Sequence, residues 1–241
     1  MIKLKNIYKH YDVYNGLSFK KKASIEILNN INYEINCHDS IGVIGKNGSG
    51  KSTLLKVIFG AILPDKGAVY CQGVPITKKD TLNKFTFLGN NDRSFFWRLS
   101  VKDNLEYFRG VYEKEDNAIT RLLFDNLSIE KFMNRSFGSL SSGEKKKVTL
   151  YRGLLKNPDV LLFDEFTQSL DLPSKKEIES IVHALKNDFK KTIIWVSHDL
   201  DEIFRLCNKA ILIEDGKINF EKDIESTNTE DIETLHKLIS S

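Results

Sequence analysis

Eight residues, Gly45-Lys46-Asn47-Gly48-Ser49-Gly50-Lys51-Ser52, satisfy the pattern G-x-x-x-x-G-K-[ST] at every fixed position and constrain this chain more than any other stretch. Ile41, Val43 and Ile44 ahead of it read as a short buried strand. Leu54, Leu55, Val57 and Ile58 behind it take the apolar spacing of a helix. The glycines therefore sit at a strand-to-helix turn. There Gly45, Gly48 and Gly50 can adopt backbone angles closed to other residues, so that successive N–H groups, those of Asn47 and Ser49 among them, turn inward as a nest for an anion. The positive end of the following helix points at the same place. A polyphosphate is the expected guest. Lys51 reaches its β- and γ-phosphates, the Ser52 hydroxyl ligates Mg²⁺, and Thr53 starts the helix behind them.

The rest of the chain has the length to build a domain around that turn. A chain of 241 residues can bury about 70–75% of its unfolded surface, enough for one large domain without staples. The 36 basic and 33 acidic residues leave a net charge of +3, too mild to argue for nucleic acid, and no direct nucleic-acid partner is expected. Cys37, Cys71 and Cys207 are widely separated, without metal-ligand or disulfide spacing, and read as small core residues in a reducing cytosol. The amino terminus, Met1 to Asn6, interrupts its apolar residues with lysines, and no run anywhere approaches about 18 apolar residues. The chain is not expected to span a membrane; action on one would pass through a partner.

Along the chain, Ile2, Leu4 and the series Ile25, Ile27, Leu28, Ile31, Tyr33, Ile35 have strand-like spacing and predict an antiparallel entry sheet. Tyr8, Tyr11 and Tyr14 are candidates there for stacking on a base, a contact worth about 1–3 kcal/mol, or for packing on the sheet. Leu63 to Gly67 is a turn, Ala68 to Cys71 a strand and Phe85 to Leu88 another. Phe95-Phe96-Trp97-Arg98-Leu99 suits either an anchor for a second protein or this chain's own core. From Val101 to Leu140 the spacing turns helical, as with Leu105 and Phe108 or Ile119, Leu122 and Leu123. Ser141 followed by Glu144 then forms a capping box that opens one more helix. Val160 to Phe163 has the continuous apolar character of a central parallel strand and delivers Asp164 and Glu165 to its carboxyl end. Alternation points the two carboxylates in different directions, so one can hold Mg²⁺ through its water while the other faces an attacking water. A helix from Pro173 to about Leu185, a strand from Thr192 to Val196 ending in Ser197-His198-Asp199, and a hairpin turn at Asp215-Gly216 complete the pattern.

These separated motifs, in this order, resemble those of the ATP-binding-cassette (ABC) ATPases from about Ile2 to Phe220. Leu140 to Leu154 resembles the family's LSGGQ signature and its helix, with Ser141 and Gly143 kept, Ser142 between them, and Glu144 where Gln is usual. Val160 to Glu165 resembles the Walker B strand, Ser169-Leu170-Asp171 the D-loop, and His198 the switch histidine. The resemblance implies an α/β P-loop NTPase (RecA-like) core with a mostly parallel sheet, an N-terminal antiparallel β subdomain and a helical insertion at about 92–157, all one nucleotide-binding domain. It selects Tyr11 as the adenine-stacking aromatic, with ATP and Mg²⁺ as cofactors. It also implies that Glu165 polarises the hydrolytic water, that His198 contacts the γ-phosphate, and that two copies join head to tail, each signature closing on the other copy's ATP. Two departures stand out. Asn90 or Asn91, as a Mg²⁺ or water ligand of shorter reach, occupies the region of the family's Q-loop Gln. Phe166 replaces the Pro that normally follows Asp-Glu, a change expected to alter loop rigidity.

The expected function is thus the ATPase subunit of an ABC transporter, peripheral at the cytoplasmic face of the inner membrane and driving a separate permease subunit. Arg93 to Leu105 resembles exporters of polysaccharides or drugs. A soluble cassette acting on ribosomes, nucleic acid or another protein complex is the alternative.

Overall fold

The computed structural model describes residues 1–14, 21–76, 84–89, 94–112, 117–168 and 170–224, the side chains of Tyr14 and Lys21 apart. β1 (Ile2–Tyr14) pairs antiparallel with β2 (Lys21–Ile35) on one side and β4 (Lys66–Cys71) on the other. The short β5 (Val74–Pro75) extends that sheet past β4. This is the entry sheet anticipated from the spaced isoleucines.

The second sheet is built from β3 (Ser40–Ile44), β6 (Phe85–Leu88), β7 (Val160–Asp164), β8 (Thr192–Val196), β9 (Lys209–Glu214) and β10 (Lys217–Asp223), in the order β10-β9-β3-β8-β7-β6. Every neighbouring pair from β9 to β6 is parallel, and β10 turns back antiparallel on β9 through Asp215 and Gly216. The central strands are apolar except at their ends, at Ser40, Thr192 and Asp164, because both faces are covered. Alternation divides their side chains: Leu161, Phe163, Ile193 and Trp195 enter one core, and Val160, Leu162, Ile194 and Val196 the other. The second core also holds Leu54, Leu55, Val57 and Ile58 of α1 (Lys51–Ile58) and the inner face of the antiparallel sheet, so α1 is sandwiched between the two sheets.

The first core is covered by helices. Between β6 and β7 come α2 (Val101–Tyr112), α3 (Ala118–Asn126), 3-10 turns at Ile129–Phe132 and Phe137–Ser139, and α4 (Ser142–Leu154). After β7 and β8 come α5 (Leu172–Asn187) and α6 (Leu200–Leu206). Asn117 opens α3 with a capping box to Thr120. The aromatic run preceding α2 is split between core and surface. Phe95 is buried and stacks on Phe137 at 4.0 Å, while Phe96, Trp97 and Leu99 stay exposed.

The cysteines correct one expectation. Cys207 is a core residue, but Cys37 is exposed and Cys71 half-buried. Cys37 stands in the turn just past β2, outside either layer, where its Sγ accepts from the amino-terminal ammonium at 2.9 Å. Among the described residues, no helix is long and apolar enough to cross a membrane.

Phe163 is fully buried, with its ring 4.5 Å from Trp195 and 5.6 Å from Phe166. Phe163→Ala is therefore expected to cost about 3–5 kcal/mol, read as a lowered midpoint in urea unfolding.

Candidate functional site

Three neighbouring parallel strands end level with one another. Val43 of β3 lies opposite Val196 of β8, and Val196 opposite Asp164 of β7. The segments leaving those ends therefore converge at the carboxyl edge of the sheet. They are the glycine loop after β3, Ser197-His198-Asp199 after β8, and Asp164-Glu165 at the end of β7.

In the loop, Gly45, Gly48 and Gly50 have φ of 146°, 82° and 107°. A Cβ on Gly45 would stand 2.2 Å from the Ile213 carbonyl oxygen, and one on Gly50 2.7 Å from that of Ile27. Gly50 is the N-cap of α1, so the helix begins at Lys51, two residues earlier than the start expected at Thr53. Lys51 is buried, and its Nζ donates to the carbonyl oxygens of Gly45 at 2.7 Å and Lys46 at 2.8 Å. Burial pulls its pKa below the usual lysine value, against the opposing pull of Glu165 and Asp164. Ser49 Oγ is buried there with no hydrogen-bond partner among the described residues, a polar atom suited to an anionic guest.

Ser52 Oγ donates to Asp164 Oδ1 at 2.8 Å. A hydroxyl and a carboxylate side by side match the sparse protein ligation that Mg²⁺ takes when phosphates and water complete its shell, so these residues fit that ion. Burial raises the Asp164 pKa above the ordinary carboxylate range, opposed by the Ser52 hydrogen bond and by Lys56. Asn90 and Asn91 lie outside the described residues. The hollow over the loop is lined by Ile27, Asn47, Gly48, Gly50, Lys51, Ser52, Thr53 and Glu165, without any residue of the Ser141–Glu144 segment.

Tyr11 is paired with Ile25 across β1 and β2, and its ring is exposed with Lys9 Nζ 5.9 Å from its centre. Ile25 itself lines a second hollow against the outer side of the loop, together with Lys46 to Ser49. Tyr8 is half-buried beneath Lys66, and the Tyr14 side chain falls outside the described set.

Glu165 and His198 meet directly, Oε1 to Nε2 at 2.6 Å. The Glu165 backbone is left-handed, with φ 50°, and its N–H donates to the Val196 carbonyl at 3.0 Å. Here Phe166 matters in a way that rigidity alone does not describe. A proline would drive the residue before it toward extended angles, whereas Phe166 leaves Glu165 free to be left-handed. The Phe166 ring is fully buried, with Lys146 Nζ 4.6 Å from its centre.

Ser141 is the N-cap of α4. Its Oγ accepts from the Glu144 N–H at 3.3 Å, and Glu144 Oε2 accepts from the Ser141 N–H at 2.8 Å. Arg135, which carries no signal in the sequence pattern, donates to Glu144 Oε1 at 2.6 Å. The Glu144 carboxylate is thus committed to its own helix end, leaving exposed Ser142 and the backbone to face outward. Partial burial raises the Glu144 pKa, but the Arg135 and Ser141 hydrogen bonds outweigh it and hold the group below the usual carboxylate range. A Cβ on Gly143 would lie 2.6 Å from Ser174 Oγ and 3.9 Å from Asp171 Oδ1, so the signature glycine is packed on the start of α5, whose N-cap is Asp171. Ser169 lies outside the described residues.

A glycine nest at the carboxyl edge of a parallel sheet, with a Ser–Asp pair beside it, defines a P-loop nucleotide-binding protein. Residues 28–168 match the model of the ABC transporter family. The energy-coupling factor transporter ATP-binding protein EcfA of Malacoplasma penetrans is 31% identical over 225 residues, covering 90% of this chain and 77% of that one. The ABC transporter ATP-binding protein NatA of Bacillus subtilis is 29% identical over 211 residues, covering 86% and 85%. The molybdenum import ATP-binding protein ModC of Mannheimia succiniciproducens is 37% identical over 186 residues, and this chain spans about half its length, 51% against 73% of this chain. A dimeric ATP-binding cassette bound to ADP and Pi in a post-hydrolysis state superposes with a TM-score of 0.79 at 25% identity, covering 94% of this chain and 100% of that one. The chain belongs to the ABC transporter family: it is an ATP-binding subunit, an ATPase that uses Mg²⁺.

The raised Asp164 pKa has a direct consequence for stability. A carboxyl group whose folded pKa exceeds its unfolded value stabilises fully below the unfolded pKa, and that contribution is lost as pH rises through the folded one. In nucleotide-free protein, Asp164→Asn, which keeps an acceptor for Ser52, is expected to melt above wild type at neutral pH. The gap should close as pH falls below the ordinary Asp range, and Mg–ATP should stabilise wild type more than the variant.

Proposed function

We propose that this chain drives a separate membrane-spanning subunit by hydrolysing ATP as a head-to-tail pair of cassettes, placed peripherally at the cytoplasmic face of the membrane. The observation that carries the pairing is the incompleteness of the phosphate site. Lys51, Ser52 and Glu165 line one side of the hollow, and no residue of Ser141–Glu144 lines it. The capped start of α4 is a second positive helix end, built to meet phosphate from another copy. The dimeric cassette of the same fold, captured with ADP and Pi, supports this arrangement.

In each half-site the glycine nest and Lys51 grip the β- and γ-phosphates, and Tyr11 offers its face to the base. Ser52 and Asp164 would hold Mg²⁺, which when bound would neutralise charge on the same phosphates. Glu165 orients and polarises the attacking water, and His198, in contact with it, reaches the γ-phosphate. Asp171, beside Gly143, links this half-site to the signature that serves the other. Exposed Phe96 and Tyr107, whose rings meet edge to face at 5.1 Å, and exposed Trp97 and Leu99 beside Phe96 in the chain are apolar side chains suited to docking the membrane subunit. ModC is by name a molybdenum import protein, and CysA of Chlorella vulgaris, 30% identical over 203 residues, is by name a probable sulfate/thiosulfate import protein. The exporter likeness of Arg93 to Leu105 therefore draws no support from them.

Glu165→Gln is expected to bind ATP, to lose at least about 100-fold in turnover, and to accumulate as a dimer in Mg–ATP by analytical ultracentrifugation. Normal turnover would refute the carboxylate's role. Recovery of a multi-spanning membrane protein with the chain supports the transporter reading; recovery of ribosomes or DNA in its place contradicts it.

A further inference from the structure

Glu202, on α6, is a carboxylate with 1% exposure that takes no part in the chemistry above. Its two oxygens are divided between the two loops that carry the reacting side chains. Oε1 accepts from Thr167 Oγ1 at 2.5 Å, and Oε2 accepts from Ser197 Oγ at 2.5 Å. Thr167 follows Glu165 by two residues, and Ser197 immediately precedes His198. The arrangement is braced further. Ser197 Oγ accepts from the Asp199 N–H at 3.0 Å, and Asp199 caps α6 by accepting from the Glu202 N–H at 3.2 Å. Lys175 of α5 places its Nζ 2.5 Å from Asp199 Oδ2 and 3.7 Å from Glu202 Oε1.

Stability is a weak reason for such a group. Taking a carboxylate out of water is costly, and apolar replacements of buried ion pairs are often neutral or stabilising. What a well-packed apolar residue could not do is tie two separate loops to one rigid point by directional bonds. We propose that Glu202 is a positioning residue for ATP hydrolysis. By holding Thr167 and Ser197 on its two oxygens, it sets the placement of Glu165 against His198. This inference rests on the roles given to Glu165 and His198 above. The hollow bounded by Glu165, Thr167, Lys175, Ser197, His198 and Glu202 is the space whose shape the tie maintains.

Steady-state Mg–ATP hydrolysis by the full chain tests it. Misplacement of reacting groups by about 1 Å can cost on the order of 100-fold. Glu202→Ala is accordingly expected to lower kcat by about tenfold or more with KM within about twofold, whereas Glu202→Gln, which keeps an acceptor oxygen, recovers most of the loss. Thr167→Val and Ser197→Ala each cut half of the tie without emptying the carboxylate's site, and should lower kcat in the same sense. The discriminating measurement is in the His198→Ala background. There the S197A change, whose effect runs through His198, should alter the residual kcat by less than about twofold, while T167V, which acts through Glu165 and its water, still lowers it and E202A lowers it no further than T167V does. A carboxylate that only stabilises the fold would lower the melting temperature and would act on kcat by the same factor in both backgrounds. That result, or wild-type kcat in both T167V and S197A, overturns the inference. Normal turnover by E165Q sinks the underlying assignment and the inference with it. An inactive E165Q beside fully active T167V, S197A and E202A removes the role of Glu202 alone.

Discussion

The level ends of β3, β8 and β7 are the constraint on which the site depends. Their register is set by backbone hydrogen bonds deep in a two-faced core, and it puts Val43, Val196 and Asp164 in one row. The glycine loop, the His198 segment and Asp164-Glu165 have no need to find one another by long side chains, because the strands end together. A slip of one residue in β7 would exchange Phe163 for Asp164 on the core face and break both core and site at once. The alternation that sends Leu161 and Phe163 to one core and Val160 and Leu162 to the other makes such a slip expensive.

At that edge the chain holds polar groups under conditions a surface would not impose. Burial pulls the pKa of Lys51 down and that of Asp164 up, so both charges are held at some cost. Partners within the chain compensate. Lys51 donates to its own loop, Ser52 to Asp164, and Glu165 and His198 pair with each other. Glu165 adds an unusual left-handed backbone, which Phe166 permits and a proline would oppose. The ring that makes this possible is anchored in the same aromatic cluster as Phe163 and Trp195. Core packing and the geometry of the site are thus one structure here.

The signature segment shows the same economy. Ser141 and Glu144 satisfy each other's backbone N–H groups, and Arg135 finishes the carboxylate's coordination. Gly143 is small because Ser174 and Asp171 stand against it. The helix end that faces outward is therefore rigid and tied to the start of α5.

Local patterns made much of this legible. The glycine loop, the capping box at Ser141, the apolar strand before Asp164 and the spaced isoleucines of the entry sheet are all dictated by neighbours within a few residues, where dihedral and periodicity rules act. The same rules were silent wherever the outcome turned on distant packing. They left Phe95 and Phe96 undivided between core and surface, placed Cys37 inside when it stands in an uncovered turn, and read Phe166 as a matter of stiffness. They had no means to see that Arg135 would reach Glu144, or that Glu202 would join Thr167 to Ser197. The glycine turn, the order of the elements and the residue types at the sheet's edge are readable without coordinates, because each follows from short-range backbone and side-chain physics. That Glu165 meets His198, that Glu202 is spent on bracing, and that the hollow over the loop is lined without Ser141–Glu144 follow from how separate strands align in space, which no local pattern encodes.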